Sequence, residues 1–108
     1  MTTEELIKID SAAFSDILKT LDARTCEHQA RKIVEMLGGT TFEKYIQAIT
    51  DIVVSNAVSG KHDVMPYFQQ TEKFFPGISP DSDILQRLAG ITLMLVTLRL
   101  EEYQKKGF

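Results

Sequence analysis

Between Ile91 and Leu100 apolar residues follow one another so closely that a helix built from them is apolar on most of its sides, where a surface helix carries one stripe. Such a segment belongs at the centre of a bundle, or must carry one face into a second subunit. The run from Leu88 to Leu98 holds no charged residue, but Gly90, Thr92 and Thr97 interrupt it and it falls well short of the ~20 residues a bilayer span requires. It reads as a buried helix and not as a membrane anchor. A chain of 108 residues has room for one core and no second, so 1–108 reads as a single helical domain. Apolar residues at 44% and charged residues at 25% match ordinary globular usage, which argues against disorder.

Helical periodicity recurs along the rest of the chain, with no period-2 strand and no Asn-Gly or Asp-Gly hairpin signal. The expected fold is all-α, a compact bundle of about five helices around a largely buried C-terminal one. The first helix spans about Thr3 to Leu21, with Leu6, Ile9, Ala13, Phe14, Ile17, Leu18 and Leu21 on one broad face, and Asp10-Ser11 offers a cap for a break within it. The second runs from about Thr25 to Leu37, turning Cys26, Ala30, Ile33, Val34, Met36 and Leu37 inward and stopping at Gly38-Gly39.

Thr40 and Glu43 have the spacing of a capping box, and the helix they open continues to Ser59 and ends at Gly60. Phe42, Tyr45, Ile46, Ile49, Ile52, Val53 and Ala57 form its inward arc, which leaves Val54 and Val58 outside. Asp63 caps a short helix through about Phe75, with Pro66 in its first turn and Pro76-Gly77 behind it. Ser79-Pro80 supplies a cap and a first-turn proline for the last helix, and Asp81 and Asp83 favour the positive end of its dipole.

A formal charge of -3 is mildly acidic and creates no field that would hold nucleic acid without a local basic patch. Cys26 is the only cysteine, which excludes an intramolecular disulfide. The first residues carry Glu4 and Glu5 where a signal peptide would carry a basic region, so a cytoplasmic location is expected.

No motif names a reaction. Cys26 and His28 are two apart in a helix and point away from each other, so the thiol has no local base and reads as a small buried apolar residue. No His-x-x-x-His or Glu-x-x-His spacing suggests a metal, and His62-Asp63 reads as a loop and cap. Gly38-Gly-Thr-Thr41 lacks the lysine of a phosphate-binding loop and follows a helix instead of a strand. No catalytic residue, cofactor or metal site is therefore expected.

Two surfaces remain. Arg24, His28, Arg31 and Lys32 recur at helical spacing and form the one basic strip, although Glu27 and Glu35 lie beside it and weaken the case for phosphate contact. Tyr67, Phe68, Phe74 and Phe75 gather four aromatic rings on one face of the short helix, where they can serve as core or as anchors for a partner.

The function expected is non-enzymatic protein binding: an adaptor, inhibitor or assembly factor of the size of many small bacterial or phage regulators. A nucleic-acid-binding regulator using the basic strip is the alternative, and a homo-oligomeric structural subunit is another. Val54, Val58, Leu93, Leu95 and Leu100 are the candidates for a homodimer interface, because association would cover apolar area that a single small chain has limited means to hide.

Overall fold

Asp10 decides the topology of the first part of the chain. Its carboxylate accepts from the Ala13 N–H at 2.9 Å and caps a new helix, so the expected Thr3 to Leu21 helix is two, α1 over Thr3–Lys8 and α2 over Ser11–Leu18. The computed structural model describes residues 2–38, 41–63, 65–79 and 81–105. Among the described residues six helices follow one another, the others being α3 (Ala23–Leu37), α4 (Phe42–Ser59), α5 (Met65–Phe74) and α6 (Asp83–Lys105).

Caps explain where most of these begin and end. Asp22 accepts from the Thr25 N–H at 2.8 Å and starts α3 earlier than expected. Gly38 ends that helix at φ 66° and Gly60 ends α4 at φ 72°, in each case donating its N–H to the carbonyl four residues back, Val34 or Asn56. The N-cap of α4 is Thr41, whose side chain makes no cap bond, and Thr40 of the expected capping box lies outside the described residues. Glu43, assigned to that box, instead accepts from Arg31 Nη1 at 2.8 Å.

Asp63 Oδ1 accepts from the Met65 N–H at 3.0 Å and turns the chain into α5. Asn56 Nδ2 donates to the Asp63 carbonyl at 3.0 Å and ties this turn to the end of α4. The last helix starts later than Ser79-Pro80 suggests. A turn closes from the Ser82 N–H to the Ser79 carbonyl at 3.0 Å, and the Ser82 carbonyl is then the acceptor for Gln86 N–H, also at 3.0 Å. Pro80 lies outside the described residues.

The expectation for the C-terminal helix is met: α6 packs against α1, α2, α3 and α4, and its pairing with α3 is the most extensive in the fold. Leu85, Leu88, Ile91, Leu95 and Val96 of α6 meet Cys26, Ala30, Ile33 and Val34 of α3 and Phe42, Tyr45, Ile46 and Ile49 of α4 in one core. Gly90 lets α2 approach closely, since a Cβ there would stand 3.1 Å from the Phe14 ring.

Leu95 is fully buried, so the central position consumes this residue and removes it from any homodimer interface. Leu93 and Leu100 are half-buried against the same core. Two further expectations fail at helix edges: Met36 is 52% exposed and Ala57 is exposed, each lying just past the face its neighbours bury.

Candidate protein-docking surface

The expected aromatic face divides between the interior and the surface. Phe75, just beyond the last residue of α5, is a core residue, and its ring meets Tyr45 edge-on at 5.2 Å between centroids. Phe74 packs on the same tyrosine at 5.9 Å and is half-buried, as is Tyr67. Only Phe68 is turned outward, at 44% exposure, with Met65 one turn before it at 58%. The single-face reading of Tyr67, Phe68, Phe74 and Phe75 is thereby corrected. Successive residues are rotated by about 100°, which separates Phe68 from Tyr67, and the chain leaves the helix at Phe75.

Tyr67 is shared by two grooves. On one side it stands with Phe68 and Thr71 of α5 opposite Leu85, Gln86, Ala89 and Leu93 of α6, around a space of about 280 Å³. On the other it faces Val53, Asn56 and Ala57 of α4 and the connection Lys61–Asp63, around about 310 Å³. Two polar donors in the first groove are already committed. The Thr71 hydroxyl donates to the Tyr67 carbonyl at 2.9 Å and Gln86 Nε2 donates to the Asp81 carbonyl at 3.2 Å. No charged side chain lines that groove.

Val54 and Val58, one turn apart on α4, are exposed, the second at 84%. Of the five residues expected at a homodimer interface, these two present open apolar surface.

The basic strip loses one of its members to internal ion pairs. Arg31 donates to Glu43 at 2.8 Å and to Glu27 at 3.2 Å, and its guanidinium lies 4.5 Å from the Phe42 ring centroid. The hydrogen bond to Glu43 raises the Arg31 pKa further, and the same bond holds Glu43 below the usual carboxylate value. Arg99 of α6 joins the same Glu27 at 3.2 Å. Arg24, His28 and Lys32 remain exposed along α3, and His28 and Lys32 line a hollow that Glu4 and Glu35 also line.

Cys26 is sealed in the core, where burial, with a smaller contribution from Asp22, pushes its thiol pKa up and disfavours the thiolate. Among the described residues no group of three or more His, Cys, Asp or Glu is placed to hold a metal ion.

Sequence reasoning missed Arg87. It is buried in α6, donates through Nη2 to the Ile9 carbonyl at 2.8 Å, and its guanidinium lies 4.7 Å from the Phe14 ring centroid. It thus holds the junction between α1 and α2 against the central helix. Its place among Ile84, Leu88 and Ile91 at helical spacing was the available signal. Also unforeseen is the buried bond from Thr3 Oγ1 to Gln29 Oε1 at 2.6 Å, which joins α1 to α3. Comparison with protein-family models, curated proteins and solved structures finds no match for this chain.

Proposed function

We propose that this chain is a non-enzymatic protein-binding factor, an adaptor, inhibitor or assembly factor acting in the cytoplasm as a small regulator. The observation that carries the reading is the outward position of Phe68 and Met65 on α5, beside an apolar groove. Exposed aromatic and methionine side chains next to a groove are the composition of interface anchors. Among the described residues no helix is long and apolar enough to cross a membrane.

The test compares the parent protein with a Phe68→Asp variant of matched circular dichroism, each immobilised and exposed to lysate of the native host. The parent retains a defined protein and the variant loses it. Equal retention by both, or by neither, overturns the reading.

Self-association is a second reading, favoured by the exposed pair Val54 and Val58 at helical spacing. Light scattering over a concentration series decides it, since Val58→Asp should dissolve such a dimer. A nucleic-acid partner is the weaker alternative, because Arg31 is engaged with two carboxylates and only Arg24, His28 and Lys32 remain open. Binding of that kind would fall steeply with salt.

A further inference from the structure

Three carboxylates flank the residues that line the groove between α5 and α6. Glu72 follows Phe68 by one turn, Asp81 lies at the carbonyl that holds Gln86, and Asp83 precedes Gln86 by one turn. All three are exposed, and none forms an ion pair among the described residues. The cations of the same segments are directed elsewhere. Lys73 lies 5.7 Å from the Phe74 ring centroid and lines the depression between α4 and α5, while Arg87 is buried against Phe14 and the Ile9 carbonyl.

This charge arrangement selects among occupants. A second copy docked groove to groove about a two-fold axis would bring one set of these carboxylates toward the other, with like charges facing across the interface. An anionic lipid surface meets the same repulsion. A partner with lysine or arginine beside its apolar residues is attracted on both counts.

The groove also selects a conformation. Its walls are helices whose backbone groups are internally bonded, and the hydroxyl of Thr71 and the amide of Gln86 already have acceptors. An extended peptide would bury a row of backbone N–H and C=O groups against helical walls that present no strand edge to pair with them. A helix brings its own backbone bonds and offers apolar side chains at i, i+3 and i+4.

Resting on the proposed protein-binding role, we propose that the α5/α6 groove receives the apolar face of a basic amphipathic helix from a partner protein. Phe68 and Leu93 are the apolar lips of the seat, and Glu72, Asp81 and Asp83 meet the flanking cations.

The probe is a fluorescein-labelled synthetic helix of leucine and lysine, compared with its leucine and glutamate counterpart. Binding is followed by anisotropy and mapped by amide shifts on the isotope-labelled full chain. The lysine peptide saturates, with shifts confined to α5 and the first half of α6, and the glutamate peptide binds at least ~10-fold more weakly. Phe68→Ala weakens the lysine peptide by about 10-fold, the scale of an interface anchor. The double variant Glu72→Lys, Asp81→Lys reverses the preference between the peptides while its melting curve matches the parent.

Shifts scattered over carboxylates across the whole surface, or an unchanged affinity in Phe68→Ala, overturn the proposal. So does a dimer that Phe68→Ala dissolves, which would show a second copy in the groove. A host protein retained by the parent while the lysine peptide fails to bind leaves the general role standing and removes this one. Peptide binding in the groove with nothing retained from lysate removes the general role instead.

Discussion

The α3/α6 pair and α5 are built from similar residues and do opposite things with them. In the first, Cys26, Ala30, Ile33, Ile91 and Leu95 are sealed from solvent, and α6 packs against α1, α2, α3 and α4. In the second, a helix of 10 residues rests chiefly on α4, buries Thr71 and the adjoining Phe75, and leaves Phe68 and Met65 outside. Hydrophobicity alone does not distinguish them. What differs is how many neighbours surround each element, and an element with one main neighbour has a face left over for something else.

The largest test of the contrast is a charge at its most buried point. Leu95→Asp places a carboxylate at a position sealed within the apolar core, and the chain should lose its cooperative urea transition altogether. A variant that unfolds like the parent would show that α6 is not the centre of the bundle. The contrast also divides one short segment within itself. Phe75→Ala should cost about 3–5 kcal/mol by emptying the contact with Tyr45, whereas Phe68→Ala should change stability by less than ~1 kcal/mol. Equal losses in the two variants would erase the distinction between platform and docking helix.

A smaller effect arises where the two regions meet. Tyr45 belongs to α4, supports Phe74 and Phe75, and is 1% exposed, so burial pushes its phenol pKa from 10.0 to about 12 despite the opposing hydroxyls of Thr92 and Thr71. The unfolded chain gives up this proton first as pH rises. Stability from the neutral phenol is therefore complete below pH 10 and is lost as pH climbs toward 12, with about 2–3 kcal/mol at stake. Urea midpoints measured upward from neutral pH should fall along this range in the parent. In Tyr45→Phe the fall should be shallower, and an identical slope would show that the phenol is not a wedge between the regions.

Much of this fold is legible from caps and periodicity because both are local. Asp10, Gly38 and Gly60 act on backbone groups within a few residues of themselves, and the apolar density around Leu95 forces that helix inward whatever surrounds it. The start of α6 was less legible, because the cap that Ser79-Pro80 suggests is followed by a turn, closed by the backbone bond from the Ser82 N–H to the Ser79 carbonyl, that no side chain announces. The site was read at the level of the segment and not of the residue. Four rings within one short stretch mark it, but their division into Phe75 inside and Phe68 outside depends on where Tyr45 and Leu93 lie, on helices far away in sequence. Arg87 was hidden for the same reason, since its partner Ile9 is reached only once α1 has folded back on α6.

The smallest expected effect concerns the outer fastening of the platform. Arg31 bridges α3 to Glu43 of α4 and, through Glu27, to Arg99 of α6, so the three helices of the well-packed region also share a surface ion network. The groups are solvated, and exposed pairs contribute little even when their geometry is good. Glu43 titrates below its ordinary 4.5 in the folded chain because Arg31 stabilises its charged form. Its contribution is therefore fully present above the ordinary value and disappears as pH falls through the lowered one. Glu43→Gln should shift the urea midpoint slightly downward at pH 7, and the two proteins should converge once acid has protonated the carboxylate. High salt at pH 7 should narrow the same gap by screening. A gap that persists in acid would mean that Glu43 acts through packing at the start of α4, and a gap as large as that of Phe75→Ala would mean that charge, and not the buried face of α6, holds the platform together.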